Sequence, residues 1–273
     1  MRRSLAIVIL CITTISAIAQ RPAIYNKDSI VTEAKKLYNA RVISACANKW
    51  LQNQGSDWEN KVGGSFSYAE NSGQKCVIFS DGESPVVLAT LYFSDQPAIE
   101  RIIIDTVSRI FTAFEQDVFN IKKQAQQQIV ADRLFRKEEN TNWSIIPLVD
   151  FNSKRVYVFA GSSVNGTIVF GNDYLLLYDQ ENHLLSASQL HQNIIPLNYR
   201  LDNDDEPITT VHNHSGCAAS FLTATDICTV MLYEKSARWK KHMVISKTHV
   251  SVWDCEKDEL FMFTVRDWEK QNR

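Results

Sequence analysis

The chain has 273 residues, of which 45% are hydrophobic and 22% are charged, a composition that supports an ordinary buried core. Its formal net charge is −2 at pH 7. Without Arg2 and Arg3 the charge is about −4, and no basic stripe is present, so nucleic acid is excluded as an expected partner.

Residues 1–19 have the three parts of a secretory signal peptide. Arg2 and Arg3 precede the apolar run Leu5–Ile18, and Ala17 and Ala19 supply the small side chains that signal peptidase reads. The run is shorter than the roughly 20 residues that span a bilayer. We therefore expect a cleaved signal, an exported protein that is periplasmic or extracellular, and no membrane span after cleavage. An uncleaved anchor is the alternative.

The region 20–140 is expected to be a small α+β region. Apolar periodicity predicts helices over 30–51 and 113–132. Between them, the β-rich runs Lys75–Phe79 and Val86–Phe93 predict a hairpin, and 101–104 predicts a further strand. Gly63-Gly64 and Asn71-Ser72-Gly73 indicate a polar loop before the hairpin.

The region 141–273 is expected to be a second domain of three-layer α/β architecture, which makes the whole chain α+β. Its predicted strands are 155–160, 167–178, 208–211, 241–245, 249–253 and 260–265, with one helix over 223–239. Leu184-Leu185 and Ile194-Ile195 are shorter apolar pieces, and His183 and His191 are assigned to loops with surface or structural roles, which are also the default for His242.

Five cysteines follow the signal, at positions 46, 76, 217, 228 and 255. They are widely spaced and form no Cys-x-x-Cys pair, so neither a zinc ribbon nor a dense disulfide framework is indicated. One or two disulfides are compatible with export. Isolated buried thiols are the slightly favoured interpretation.

His212-Asn213-His214 is the cluster that carries a chemical prediction. Residues two apart in a strand point to the same face, so both imidazoles would project side by side, as one divalent metal requires. Asp226, in the first turn of the next helix, could turn back toward them. Two histidines, an aspartate and an open position for water form the layout of a catalytic zinc site.

A structural role is the competing interpretation of the same residues. Thr223 followed three positions later by Asp226 fits a helix N-cap with a capping box, which needs no metal. A His-x-His pair also arises by chance in loops. Cys217 near His214 could instead form a nucleophilic Cys–His pair.

The run from His212 to Asp226 resembles the motif of JAB/MPN/JAMM metalloproteases, in which a strand-end His-x-His precedes a Ser-x-x-Asp at a helix start. The resemblance implies that His212, His214 and Asp226 hold zinc and that Thr223 stands where the family's serine stabilises the oxyanion. It also implies a cytidine-deaminase-like fold over 141–273 and the hydrolysis of peptide or isopeptide bonds by a zinc-bound water.

The sequence departs from that family at several positions. Ser215 replaces a proline, threonine replaces serine at 223, and the spacing from His214 to Thr223 is one residue longer. No glutamate is identified for the general base, since Lys154-Arg155 stand where an acidic residue is expected. The C-terminal run, including Trp253-Asp254-Cys255, resembles exported proteins of Bacteroidetes-type bacteria, which implies a location but no activity.

The leading hypothesis is thus an exported zinc-binding protein, either a hydrolase with a peptide or protein substrate or a relative that has lost catalysis. The alternative is a non-enzymatic protein of the cell envelope that binds partners and holds no metal.

Overall fold

A computed structural model describes residues 26–70, 73–94, 102–199, 208–214 and 220–271. The expected signal peptide lies outside these residues. The described residues form a mixed α+β structure, as expected. Its helices are α1 (Lys27–Gln52), α2 (Ser56–Glu59), α3 (Ala113–Ala131), α4 (Ala224–Tyr233) and α5 (Val265–Gln271).

Twelve strands within the described residues form three four-stranded sheets. The first sheet has the order β1 (Val62–Glu70), β2 (Gly73–Ser80), β3 (Val87–Phe93), β4 (Ile103–Asp105). The second has the order β5 (Thr141–Asp150), β6 (Ser153–Ser162), β7 (Thr167–Tyr178), β8 (Leu184–Asn198). The third has the order β12 (Glu259–Thr264), β11 (His249–Asp254), β10 (Trp239–Ser246), β9 (Ile208–His214).

The first two sheets are antiparallel meanders, in which each strand pairs with the next one in the chain. Short connections between consecutive strands make this arrangement the simplest one for the chain. The third sheet differs, because β9 pairs with β10 in parallel and α4 makes the crossover between them. This β9–α4–β10 unit positions the residues of the candidate site.

Helix α1 packs along a large part of the molecule. Near its start, Ile30 and Ala34 belong to the apolar core formed with α4 and the third sheet. Near its end, Ile43 and Cys46 belong to the core of the first sheet. The division of the chain at 140 and 141 remains a prediction, and α1 contacts elements on both sides of it.

The polar contacts of α1 reach the second sheet as well. Arg155 on β6 donates two hydrogen bonds of 2.6 Å to the carboxylate of Glu33 on α1, and the hydroxyl of Tyr157 donates another of 2.9 Å. Burial opposes the charge of the guanidinium, but the bonds to Glu33 outweigh it and raise the pKa of Arg155. This partly buried ion pair joins α1 to the second sheet.

Several boundaries differ from the sequence-based expectations. The expected polar loop around Gly63-Gly64 is strand β1, and the two short apolar pieces at 184–185 and 194–195 belong to one long strand, β8. The helix expected over 223–239 ends at Tyr233. Arg238 adopts a left-handed φ of 57°, after which Trp239 begins β10.

Candidate metal centre

His212 and His214 lie within strand β9, which runs through the pair and ends at His214. Both imidazoles are buried, whereas Asn213 between them is exposed. The alternation follows from the two-residue period of a strand. The expected same-face projection is therefore present, and Nε2 of His212 lies 3.0 Å from Nε2 of His214.

Asp226 approaches these imidazoles from the first turn of α4. Its Oδ1 lies 3.8 Å from Nε2 of His212, and its Oδ2 lies 3.4 Å from Nε2 of His214. The capping box is also present, because the side chain of Thr223 accepts from the Asp226 amide and the Asp226 carboxylate accepts from the Thr223 amide. The metal-site and capping interpretations of Asp226 thus describe one geometry rather than two alternatives.

Thr223 is the N-cap of α4, and its hydroxyl stays inside the cap. Its Oγ1 lies 2.8 Å from Oδ2 of Asp226 and 2.9 Å from Oγ1 of Thr225. In this position the hydroxyl orients the carboxylate of Asp226. A contribution of Thr223 to oxyanion stabilisation stays a prediction.

His191 completes the cluster, and the expectation that it lies in a loop, with a surface role as one default, is wrong. It lies in β8, where it is buried and directly opposite Asp173 of β7. Nδ1 of His191 is 2.7 Å from Oδ1 of Asp173, and its Nε2 is 3.6 Å from Oδ2 of Asp226. Ligand atoms of His191, His214 and Asp226 all lie within 4.8 Å of one another, so this buried group could hold a metal ion.

A β-bulge in β7 explains how Asp173 reaches His191. The register of β7 against β8 shifts on both sides of Asp173. Gly171 and Asn172 adopt left-handed φ values of 77° and 50°. The Asn172 side chain donates to the carbonyl of Arg136 at 2.8 Å and accepts from the Tyr174 hydroxyl at 2.6 Å, which holds the strained backbone.

His242 of β10 contacts the cluster through His212. In the parallel pairing of β9 with β10, Thr210 is opposite His242 and His212 is opposite Val244. This register places Nδ1 of His242 2.7 Å from Oγ1 of Thr210, and Nε2 of His242 2.9 Å from Nδ1 of His212. A surface role for His242 is excluded, because its side chain is fully buried.

Burial determines the charge of the histidines in this cluster. Desolvation lowers the pKa of His212 to about 4 and that of His242 to about 3. For Asp226, burial favours the neutral form, but the nearby histidines, His191 first among them, hold its pKa well below the usual range. His212 and His242 are therefore neutral near pH 7, and Asp226 is ionised.

The cluster borders a cavity of about 330 Å³. Phe170 forms an apolar wall, with its ring stacked on His242 at a centroid distance of 4.8 Å. The described residues that line this cavity include no glutamate, so the general base of the family has no counterpart among them. Thr223 lines a neighbouring cavity of about 410 Å³ instead.

The remaining sequence-based expectations concern the cysteines and the membrane. Cys46, Cys76, Cys228 and Cys255 are free thiols, and the first three are buried, in agreement with the favoured interpretation. Cys217 lies outside the described residues, so its pairing with His214 stays a prediction. No helix within the described ranges is long and apolar enough to cross a bilayer.

Comparison with known proteins adds no relative to this picture. No protein-family model, curated protein or solved structure matches the chain. The interpretation of the site therefore depends on its own geometry and on the sequence motif.

Sequence reasoning found His212, His214 and Asp226, which the structure brings within 3.8 Å of one another, but it missed His191, Asp173 and His242. One sequence signal was available for Asp173. Gly171-Asn172-Asp173 interrupts an otherwise apolar strand with polar residues, and buried polar residues in a strand need specific partners.

Proposed function

We propose that the protein binds one divalent metal ion through His191, His212, His214 and Asp226, and that this ion is zinc. The observation that carries the proposal is the convergence of four buried side chains. Ligand atoms of His191, His214 and Asp226 lie within 4.8 Å of one another, and Nε2 of His212 lies 3.0 Å from Nε2 of His214 and 3.8 Å from Oδ1 of Asp226. Tetrahedral zinc with bonds of about 2.0–2.1 Å separates its ligand atoms by about 3.3 Å.

Electrostatics supports a cation at this point. The ion-pair partners of Asp226 among the described residues are histidines, and burial keeps His212 neutral near pH 7. A buried, ionised carboxylate is costly unless a cation lies near it. A proton on Nε2 of His191 is the other cation that could serve, and a measurement of bound metal distinguishes the two.

The donor set favours zinc among the common divalent ions. Three imidazole nitrogens and one carboxylate oxygen suit zinc and its neighbours in the first transition series. Calcium and magnesium take oxygen ligands, in larger numbers or with retained water. Asp226 is buried, which strengthens its attraction to a bound ion.

Metal content in purified protein tests this proposal. After incubation with zinc and removal of the excess, we expect about one zinc per chain. His191→Ala, His212→Ala and His214→Ala should each lose most of it. His183→Ala is the matched control, because His183 is 77% exposed and its ring pairs with Asp179, which does not belong to the cluster. An empty wild-type site, or retention of zinc in all three variants, would refute the proposal.

The activity we propose is zinc-dependent hydrolysis of a peptide or amide bond. It is supported by the likeness of His212, His214 and Asp226 to the JAB/MPN/JAMM motif and by the open cavity beside them. Zinc held by three of the four side chains, with the fourth position left to water, would supply an activated water and polarise the scissile carbonyl. In this activity Asp226 holds the ion, and Thr223 orients Asp226 through its hydrogen bonds in the cap.

A second candidate function is zinc binding without catalysis. Four protein ligands fill a tetrahedral shell, as in structural zinc sites, whereas catalytic sites keep a position for water. Incubation of zinc-loaded protein with a mixture of peptides, followed by mass spectrometry, separates the two functions. Cleavage that disappears in His214→Ala and with chelator supports hydrolysis, and zinc binding without cleavage supports the second function.

Two further features are proposed on sequence grounds. A JAB/MPN-like fold for residues 141–273 is supported by the strand–helix–strand unit formed by β9, α4 and β10. Export to the periplasm or the medium is supported by the sequence of residues 1–19. In that location the site would take zinc from the surroundings of the cell.

A further inference from the structure

We propose that Asp173, His242 and Thr210 are positioning residues that set the ring tautomers of His191 and His212. Both imidazoles would then carry hydrogen on Nδ1 and present an Nε2 lone pair to the metal. The inference rests on the proposed metal function. It assigns a role to three buried or partly buried polar residues that bind no metal themselves.

Asp173 fixes His191 directly. A carboxylate only accepts hydrogen bonds, so the 2.7 Å contact requires that Nδ1 of His191 carry the hydrogen. In the neutral ring, Nε2 then faces Asp226 at 3.6 Å with its lone pair. Both residues are buried and lie opposite each other across β7 and β8, so the strand pairing holds the carboxylate of Asp173 beside Nδ1 of His191.

Thr210 and His242 act on His212 through a chain of hydrogen bonds. If Nδ1 of His242 donates to Thr210 at 2.7 Å, then Nε2 of His242 accepts from Nδ1 of His212 at 2.9 Å. The reverse direction satisfies the same bonds but leaves a hydrogen on Nε2 of His212, where it would block the metal. Only the first direction is compatible with the ligand set of His191, His212, His214 and Asp226.

Packing keeps the His242 ring in the plane that this chain needs. The ring of Phe170 stacks on that of His242 with an angle of 5° between them, and Trp239 lies on the same side at 6.1 Å from Phe170. In metal sites, partners of this kind orient the ligating imidazole and raise its basicity. Their loss typically weakens metal binding about 10–100-fold.

The first test measures zinc affinity by competition with a chelator in paired variants. His242→Leu and Asp173→Ala remove the acceptor, and we expect the dissociation constant to rise about 10–100-fold. His242→Gln and Asp173→Asn each keep a carbonyl oxygen that can accept from the imidazole, so we expect them to bind within a few-fold of wild type. Equal affinity in all four variants and in wild type would overturn the inference.

The second test reads the tautomers of the wild-type protein by long-range proton–nitrogen NMR of its histidines, which does not depend on whether the variants fold. We expect hydrogen on Nδ1 at His191 and His212, with and without zinc. If wild-type protein takes up no zinc, the proposed function fails, and the tautomers in the same sample still decide this inference. Hydrogen on Nε2 of neutral His191 or His212 overturns it.

Discussion

Glu115 is a buried carboxylate outside the candidate metal centre that accepts hydrogen bonds from several residues. Arg109 donates to both of its oxygens at 2.6 and 2.7 Å, and Tyr68 donates to one of them at 2.9 Å. Glu115 also closes the capping box of α3 with Thr112. Burial alone would raise the pKa of Glu115, but the hydrogen bonds it accepts, led by those from Arg109, lower it to about 2.

This lowered pKa predicts a defined loss of stability in acid. The unfolded chain has a Glu pKa near 4.5, so it takes up the proton first as the pH falls. The stabilisation by ionised Glu115 is present above pH 4.5 and is lost as the pH falls toward 2. The difference between the pKa of Glu115 in the unfolded and the folded chain corresponds to about 3 kcal/mol of unfolding free energy. Wild type should therefore lose about that much more unfolding free energy than Glu115→Gln over this range.

Chemical unfolding between pH 5 and pH 2, with chelator present, measures the difference. Glu70→Gln is the control, because the carboxylate of Glu70 is about half exposed and pairs with Lys75 at the surface. Surface pairs of this kind contribute about 0–1 kcal/mol. Parallel pH curves for wild type and Glu115→Gln would contradict the assignment.

The candidate site shows at the residue scale what a sequence can predict. Asp226 lies three residues from Thr223, so its cap could be inferred from spacing alone, and its approach to His212 and His214 follows from the strand–loop–helix order. His191 is different. Its position depends on the pairing of β8 with β7, which no local pattern around His191 specifies.

At the scale of elements, the bulge in β7 connects backbone conformation to the candidate metal centre. Gly171 has a left-handed φ of 77°, and a Cβ atom at this position would overlap the carbonyl oxygen of Asn193 on β8. Gly166 has the same φ of 77°, but its nearest neighbour, the carbonyl oxygen of Tyr199, would lie 3.6 Å from the added Cβ. Alanine substitutions at the two glycines therefore separate the free-energy cost of the left-handed backbone conformation from the cost of the steric overlap.

We predict that Gly171→Ala destabilises the protein by at least about 2 kcal/mol, whereas Gly166→Ala costs about 1 kcal/mol from the unfavourable φ alone. Because the bulge holds Asp173 against His191, Gly171→Ala should also weaken zinc binding, and Gly166→Ala should leave it unchanged. Denaturant unfolding and zinc titration of both variants measure these effects. Equal destabilisation by the two substitutions would show that the contact with Asn193 does not constrain the bulge.

Helices and strands were predictable where the apolar residues of a segment follow a single spacing, either helical or alternating. Helix α3 matches its expected span closely, since its apolar residues recur along one face, and strand β7 matches its span because apolar runs flank the polar Gly171–Asp173. Strand β1 was missed because Gly63-Gly64 dominates its start, and the glycines there allow close approach to Asp81 and Phe79 of the neighbouring chain segment. After α4 the chain becomes extended at Trp239, where β10 begins to pair with β9. This pairing, rather than helix propensity, determines where the extended segment starts.

At the scale of the whole molecule, the candidate metal centre joins two sheets and a helix. His191 belongs to the second sheet, His212 and His214 to the third, and Asp226 to α4. An ion bound by all four would therefore cross-link elements that are distant in sequence. These long-range contacts are the part of the site that a local motif cannot encode.

Zinc should therefore stabilise the whole fold and not only the site. A ligand that binds the folded state alone at 100 times its dissociation constant raises the unfolding free energy by about 2.7 kcal/mol. We expect zinc to raise the midpoint of thermal unfolding accordingly in wild type and in His183→Ala. His191→Ala should show little or no rise, because it breaks the link between the second and third sheets. A zinc-induced rise of equal size in His191→Ala would mean that the ion is held within the third sheet and α4 alone.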